Sequence, residues 1–347
     1  MFNKVIVSKN ILKKSFMENE ELEKTLSRFI ENSFKARADI STRENPCKVN
    51  ITIFENFISI VDNSGGIDPN IKDEEIFKIG TVDNTYSEGI GIKKSFFILG
   101  NKMNIESNNK QGTRKFLLDT SLNYEELQYQ IENIEYNPQG VEGTSIYITS
   151  LEDSIKRKIS QSCCEESVII GLGRMFSKFI ETGELEITVN TKPVNAVDIC
   201  GEKINSCTIL GEYQVDLYKG VKSSKSGVDL FINGYMFYNR ERSKKVKWTF
   251  LNKAKHRYNN CIVEISYKGD KLRFLEVHDV LFDKVIEFIK ENEQHFRSKT
   301  IIIQFEVDIG KVEELEEYYD ENTAKAIGIK AFEQLYQKFI ENKRSRN

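Results

Sequence analysis

VNITIFENFISIVDNSGGIDP, residues 49–69, is the stretch whose reading decides the fold. Apolar and polar residues alternate on either side of Glu55-Asn56, which predicts a β-hairpin. The second strand then runs straight into Asp62-Asn63-Ser64-Gly65-Gly66, a loop by composition. The strand ends in an Asp that is followed, after Asn63 and Ser64, by two glycines. This pattern marks residues 62–66 as candidate binding residues.

Upstream, residues 18–38 predict a helix, with Leu22, Leu26, Phe29, Ser33 and Ala36 on one buried face. Arg28, Asn32 and Lys35 share a different face. Downstream, a short helix is expected near residues 73–79. A mobile, glycine-punctuated loop from Gly80 to Gly91 follows, feeding a helix through Ser95–Leu99. Strands are expected at 102–107, 113–119 and 145–149. Residues 122–136 read as strand or helix, with no periodicity to decide. Helices are expected over 152–182, then strands at 185–190, 214–218, 228–232 and 260–267, and helices at 280–296 and 323–342. The change of pattern at 150–185 divides the chain into 1–155, 156–310 and an acidic, then helical, tail at 311–347.

The whole chain has 347 residues, with 50 Lys+Arg against 53 Asp+Glu. That balance excludes a wholly basic nucleic-acid binder. It conceals a basic segment at 240–257, where eight Lys or Arg face Glu241 alone and Trp248, Phe250 and Tyr258 are interleaved. Such a segment is a candidate for nucleic acid, by phosphate pairing and base stacking. Six cysteines without metal-type spacing predict reduced thiols and a cytoplasmic location. Three histidines argue against a multi-histidine metal site. No apolar run approaches the roughly 20 residues of a membrane helix, so no membrane partner is expected.

Three features occur in one order. Asn32 lies on a polar helical stripe, and its amide oxygen is a hard ligand suited to Mg²⁺ on a triphosphate. Asp62 can accept a hydrogen bond from an exocyclic amine such as that of adenine. Gly89-Ile90-Gly91 opens a helix whose free N–H groups suit phosphate, and Lys93 or Lys94 adds a point charge there.

These segments resemble the GHKL superfamily of gyrase, heat-shock chaperone, histidine kinase and MutL ATPases. Phe29–Ala36 is similar to its N box, Asp62–Gly66 to its Asp-x-Gly-x-Gly box, Gly89–Ser95 to its lid glycines and Gly143-Thr144 to its last box. The resemblance implies an α+β chain. A GHKL (Bergerat) α/β sandwich binds ATP and Mg²⁺, and a smaller α/β transducer-like domain follows. It assigns Mg²⁺ to Asn32, the adenine amine to Asp62 and the adenine pocket to Gly66. Gly89 and Gly91 wrap the phosphates, and Thr144 supports the Asp62 network. Lys93 stands where the MORC-like branch carries lysine. Lys35 stands where histidine kinases often carry a lysine able to touch phosphate. Residues 176–194 and 227–238 resemble the transducer of MORC- and MutL-type ATPases. Within it, residues 272–279 match the loop that brings a lysine to the γ-phosphate. His278 stands in that lysine's place, and Lys271 is the alternative.

One departure stands out. Hydrolytic relatives carry a general-base Glu one turn before the Mg²⁺ asparagine, where this chain has Arg28. Arginine cannot accept a proton at neutral pH. Glu31 points about 100° away from Asn32 on a helix. The expectation is an ATP-gated homodimer or switch that hydrolyses slowly or not at all. It would act with a partner protein or nucleic acid, and the MORC-like resemblance suggests DNA transactions or phage defence. The alternative is a kinase of the histidine-kinase or anti-sigma type that phosphorylates a partner. His256, His278 and His295 all follow the ATP-binding segment, which disfavours autophosphorylation.

Overall fold

The computed structural model describes residues 20–76, 91–120, 129–134, 142–221, 225–251 and 258–296. Helix α1 is Leu22–Arg37. Its buried residues include Leu22, Leu26, Phe29, Ile30, Ser33 and Phe34, whereas Ala36, expected on this face, is exposed. The predicted hairpin forms as β1 (Cys47–Ile53) and β2 (Phe57–Asp62), antiparallel with Ile51 opposite Ile60.

The next elements are α2 (Asp73–Ile76), α3 (Gly91–Leu99), β3 (Gly100–Asn109), β4 (Gly112–Asp119), β5 (Tyr129–Ile134) and β6 (Gly143–Leu151). The ambiguous segment at 122–136 is therefore strand where it is described. Its ladder partner decides this: Phe116 pairs with Ile131, and Leu117 with Gln130. Helices α4 (Asp153–Ile159), α5 (Cys164–Met175) and α6 (Ser177–Thr182) lead to β7 (Leu185–Val189) and β8 (Lys192–Pro193).

These strands make one sheet in the order β5-β4-β3-β6-β2-β1-β7-β8. Strand β7 lies parallel to β1, with Val49 beside Ile187. The helices α1, α3 and α5 supply Phe29, Phe96 and Leu172 to the core that also takes Val49, Ile60, Ile148 and Ile187. The mixed sheet under helices is the α/β sandwich expected. The change of core falls later than the expected division at 155/156, because α4–α6 and β7 are needed to cover and extend the first sheet.

The second sheet comprises β9 (Gly201–Ile209), β10 (Tyr213–Gly220), β11 (Gly227–Ile232), β12 (Tyr235–Glu241) and β13 (Cys261–Tyr267). Its order is β12-β11-β13-β10-β9, with β11 parallel to β13. Helix α7 (Lys271–Glu291) covers it with Phe274, Leu281, Phe282, Val285 and Ile289. The segment 272–279, matched to a phosphate-contacting loop, is the first part of this helix. Asp270 caps it, its side chain accepting from the Leu272 N–H at 2.8 Å. The tail at 311–347, and the helix expected at 323–342, lie outside the described residues.

Trp248 and Tyr258 were expected to stack on bases. Both are buried in the second core instead, Trp248 being 1% exposed. Phe250 alone of the three is exposed. Trp248→Ala is expected to cost about 3–5 kcal/mol of stability, as truncation of a buried aromatic does. Urea unfolding of the variant against the parent measures it; an unchanged midpoint would place the ring on the surface.

Candidate functional site

The alternation of β2 that buries Ile58 and Ile60 also turns Asp62 inward. Its carboxylate is satisfied from three elements. The Asp62 Oδ1 accepts from the backbone N–H of Ser64 at 2.9 Å and of Thr144 at 3.0 Å. The Asp62 Oδ2 accepts from the Ser33 hydroxyl at 2.6 Å. That hydroxyl also lies 3.1 Å from the Phe29 carbonyl. It has one proton, and the shorter, charge-assisted bond to Asp62 takes it. A carboxylate offers about four lone-pair sites, so one remains for an incoming amine.

The glycines follow from close packing. Gly65 and Gly66 have φ of +91° and +76°, a left-handed turn that disfavours other residues. A Cβ at Gly66 would lie 2.7 Å from the Asn108 carbonyl oxygen, and one at Gly143 only 1.9 Å from the Asp62 carbonyl oxygen. Both positions exclude a side chain, so backbone packs closely around Asp62. The loop after Gly66 is braced from β3 and β4. Ser107 Oγ accepts from the Ile67 N–H at 2.6 Å. Arg114 donates to the carbonyls of Ile67, Asp68 and Ile71 at 3.1, 2.8 and 2.8 Å. Ser33, Ser107 and Arg114 were not singled out from sequence as site residues. Ser33 was assigned to core packing by its spacing, and it does lie on that face.

Beside Ser33 in the C-terminal half of α1, Asn32 and Lys35 are exposed. The Lys35 ammonium sits 3.9 Å from Glu31 and 5.3 Å over the Tyr235 ring. Glu31 has its pKa raised by burial, although Lys35, Arg28 and Lys271 oppose that rise. Gly91 begins α3, and a Cβ there would lie 3.7 Å from Arg28 Cδ. Gly89 lies outside the described residues. Lys93 is buried, and burial pushes its pKa down to about 8. Lys94 is half-buried, 3.9 Å from Glu20.

Glu20 has no place in any motif, yet it organises the N-terminal end of α1. Both its oxygens bind the Arg28 guanidinium, at 2.6 and 2.7 Å. Lys24 lies 3.5 Å away, and Lys158 donates to the Glu20 carbonyl. Burial alone would raise the Glu20 pKa. Arg28, Lys94 and Lys24 outweigh it and hold the carboxyl below its usual value.

His278 does not reach this region by any contact. It lies in α7, with Nε2 3.2 Å from the Tyr238 hydroxyl and its ring against Phe274 and Phe282. The basic segment is also partly spent inside the fold. Arg240 is buried against Asp229 at 3.3 Å, and Lys247 pairs with Asp283 at 2.7 Å. Arg242, Lys244 and Lys245 are exposed, while Lys253, Lys255 and Arg257 lie outside the described residues.

The Ser33 hydroxyl is the one side-chain donor to Asp62 among the described residues. Ser33→Ala is expected to cost about 1–3 kcal/mol, the penalty of leaving a buried acceptor short of a partner. Alanine's better helix propensity, worth at most ~0.7 kcal/mol, does not cancel it. Denaturant unfolding reads the difference; a neutral result would show that water replaces the hydroxyl.

Among the described residues, no cluster of His, Cys, Asp and Glu could hold a metal ion by itself. No helix among them is long and apolar enough to cross a membrane. No curated protein matches the chain. Residues 20–154 match the family of histidine kinase-, DNA gyrase B-, and HSP90-like ATPases. The match runs from Glu20 to the first residues of α4, so it takes in Asn32, Asp62, Gly66 and Thr144 together. Over that segment the chain is similar to GHKL-type ATP-binding domains, and its mixed α/β fold is consistent with their α/β sandwich.

Proposed function

We propose that this protein binds Mg-ATP at Asp62 and Asn32 and works as a nucleotide-gated switch with slow or no hydrolysis. The observation that carries the reading is the Asp62 cradle. It is a buried carboxylate with one acceptor site left, beside two positions where a Cβ would collide with backbone. That donor set and that shape fit an adenine amine. Asn32 would hold Mg²⁺, which when bound neutralises triphosphate charge. Gly91 with Gly89, Lys94 and Lys35 would bind the phosphates. Lys93 is the weaker candidate, because it is buried and favours its neutral form more than an exposed lysine does.

Slow hydrolysis follows from Arg28 and the carboxylate it holds. Arg28 cannot take a proton. Glu20 has both oxygens on Arg28 and a lowered pKa, which makes it a poor base toward water. Loss of a general base commonly removes about 10²–10⁴-fold of rate. With a median enzyme turning over at roughly 10 per second, phosphate release is expected below about 0.1 per second. Calorimetric titration with Mg-ATP should give a binding isotherm that Asn32→Ala weakens. Turnover on the order of 1 per second, lost in Asn32→Ala, contradicts the slow-hydrolysis reading.

Output through the second sheet fits the contacts that α1 and α6 make with it. Phe34 packs on Phe179 and Tyr235 at 4.4 and 6.2 Å, and Lys178 pairs with Glu264 at 2.8 Å. We read this sheet as transducer-like, in a MORC- or MutL-like protein that dimerises or engages a partner. Lys271, at the start of α7, is a better candidate than His278 for a phosphate contact, because its charge already acts on Glu31. Nucleic acid as a partner now rests on Arg242, Lys244 and Lys245, without Trp248 and Tyr258. A second reading, phosphoryl transfer to a partner protein, rests on the exposed Lys35 beside Asn32; labelled ATP incubated with candidate partners tests it.

A further inference from the structure

We infer that Arg28 is the residue that tells ATP from ADP, and that Glu20 is a positioning residue that holds its guanidinium until a terminal phosphate replaces the carboxylate. The inference rests on the ATP-binding reading and adds a role for the position where a base is missing.

The geometry is specific. Arg28 lies one turn before Asn32 on α1, so the two side chains leave the same face. Its aliphatic stem packs where α3 begins at Gly91, and its Nη1 lies 3.4 Å from Ser95 Oγ on that helix. A triphosphate with its metal at Asn32 and its end at the start of α3 passes the guanidinium. Arginine offers a planar fork that suits a carboxylate or a phosphate equally well. Here the fork is filled by Glu20, bidentate at 2.6 and 2.7 Å.

The surrounding charge favours exchange. Arg28, Lys24 and Lys94 lie 2.6, 3.5 and 3.9 Å from the Glu20 carboxylate. A phosphate with about two negative charges satisfies such a cluster better than one carboxylate does. Glu20 sits outside α1, where Glu21 has extended φ and ψ of −63° and 144°. The carboxylate can therefore yield without unwinding the helix. A base at position 28 would serve water; an arginine there serves the phosphate itself.

The test measures affinity for both nucleotides, with Mg²⁺, on the full chain. Wild type should bind Mg-ATP more tightly than Mg-ADP. Arg28→Ala should weaken Mg-ATP by about 10- to 100-fold, the worth of a hydrogen bond to a charged group, and leave Mg-ADP within about twofold. Arg28→Lys keeps a charge without the fork and should recover part of the loss. Glu20→Gln removes the competitor and should strengthen Mg-ATP by roughly 3- to 10-fold with Mg-ADP unchanged. Thermal unfolding confirms that each variant is folded; if Arg28→Ala is not, Arg28→Lys and Glu20→Gln decide. Equal losses for both nucleotides would make the pair a structural clasp and overturn the inference, as would no change in either. If wild type binds neither nucleotide, the ATP-binding reading itself fails and this inference falls with it.

Discussion

A carboxylate is buried at the end of β2, and much of the first layer is arranged around keeping it satisfied. An uncompensated buried charge costs several kcal/mol. Asp62 therefore draws a hydroxyl from α1, an N–H from its own loop and an N–H from β6. Each donor constrains its own element. The helix must present Ser33 toward the sheet. The loop must turn back at Ser64, which its left-handed glycines permit. Strand β6 must begin so close to Asp62 that only glycine fits at 143. The site and the fold are thus one set of contacts.

That constraint explains what could be read from residue order. Alternation exposed the hairpin, and the Asp-Asn-Ser-Gly-Gly run exposed the site, because both are local in sequence. The parallel pairing of β7 with β1 joins residues nearly 140 apart, and no local pattern announces it. Strand β5 was ambiguous because the partner that settles it, β4, lies outside the segment itself. The start of α7 was misplaced by a resemblance, although Asp270 followed by Phe274, Leu281 and Val285 carries a cap and a helical stripe. Charge counting over 240–257 overstated the free surface. Arg240 answers Asp229 across β11 and β12, and Trp248 faces the core.

Glu20 was invisible for a different reason. Spacing rules address partners one or two turns apart on a continuous helix. Glu20 lies eight residues before Arg28 and outside the helix, so the pair depends on how the chain enters α1. Ser33 was placed on the right face and given the wrong task. Helical spacing cannot distinguish a residue that packs against the sheet from one that donates to it.

Helix α1 is the element through which these pieces meet. One face carries Leu26, Phe29 and Ile30 into the core. Another carries Arg28 and Asn32. At its end, Phe34 and Lys35 reach Tyr235 of the second sheet. Asn32 and Lys35 are less than one turn apart, and a hydrogen-bonded helix does not flex over so short a span. A shift of the helix at the proposed metal ligand therefore carries Phe34 and Lys35 with it. The Tyr235 ring must follow, because it packs against the Phe34–Phe179 pair, 6.2 Å from the former and 4.8 Å from the latter. Close-packed contacts of this kind transmit small displacements, because there is no void to absorb them.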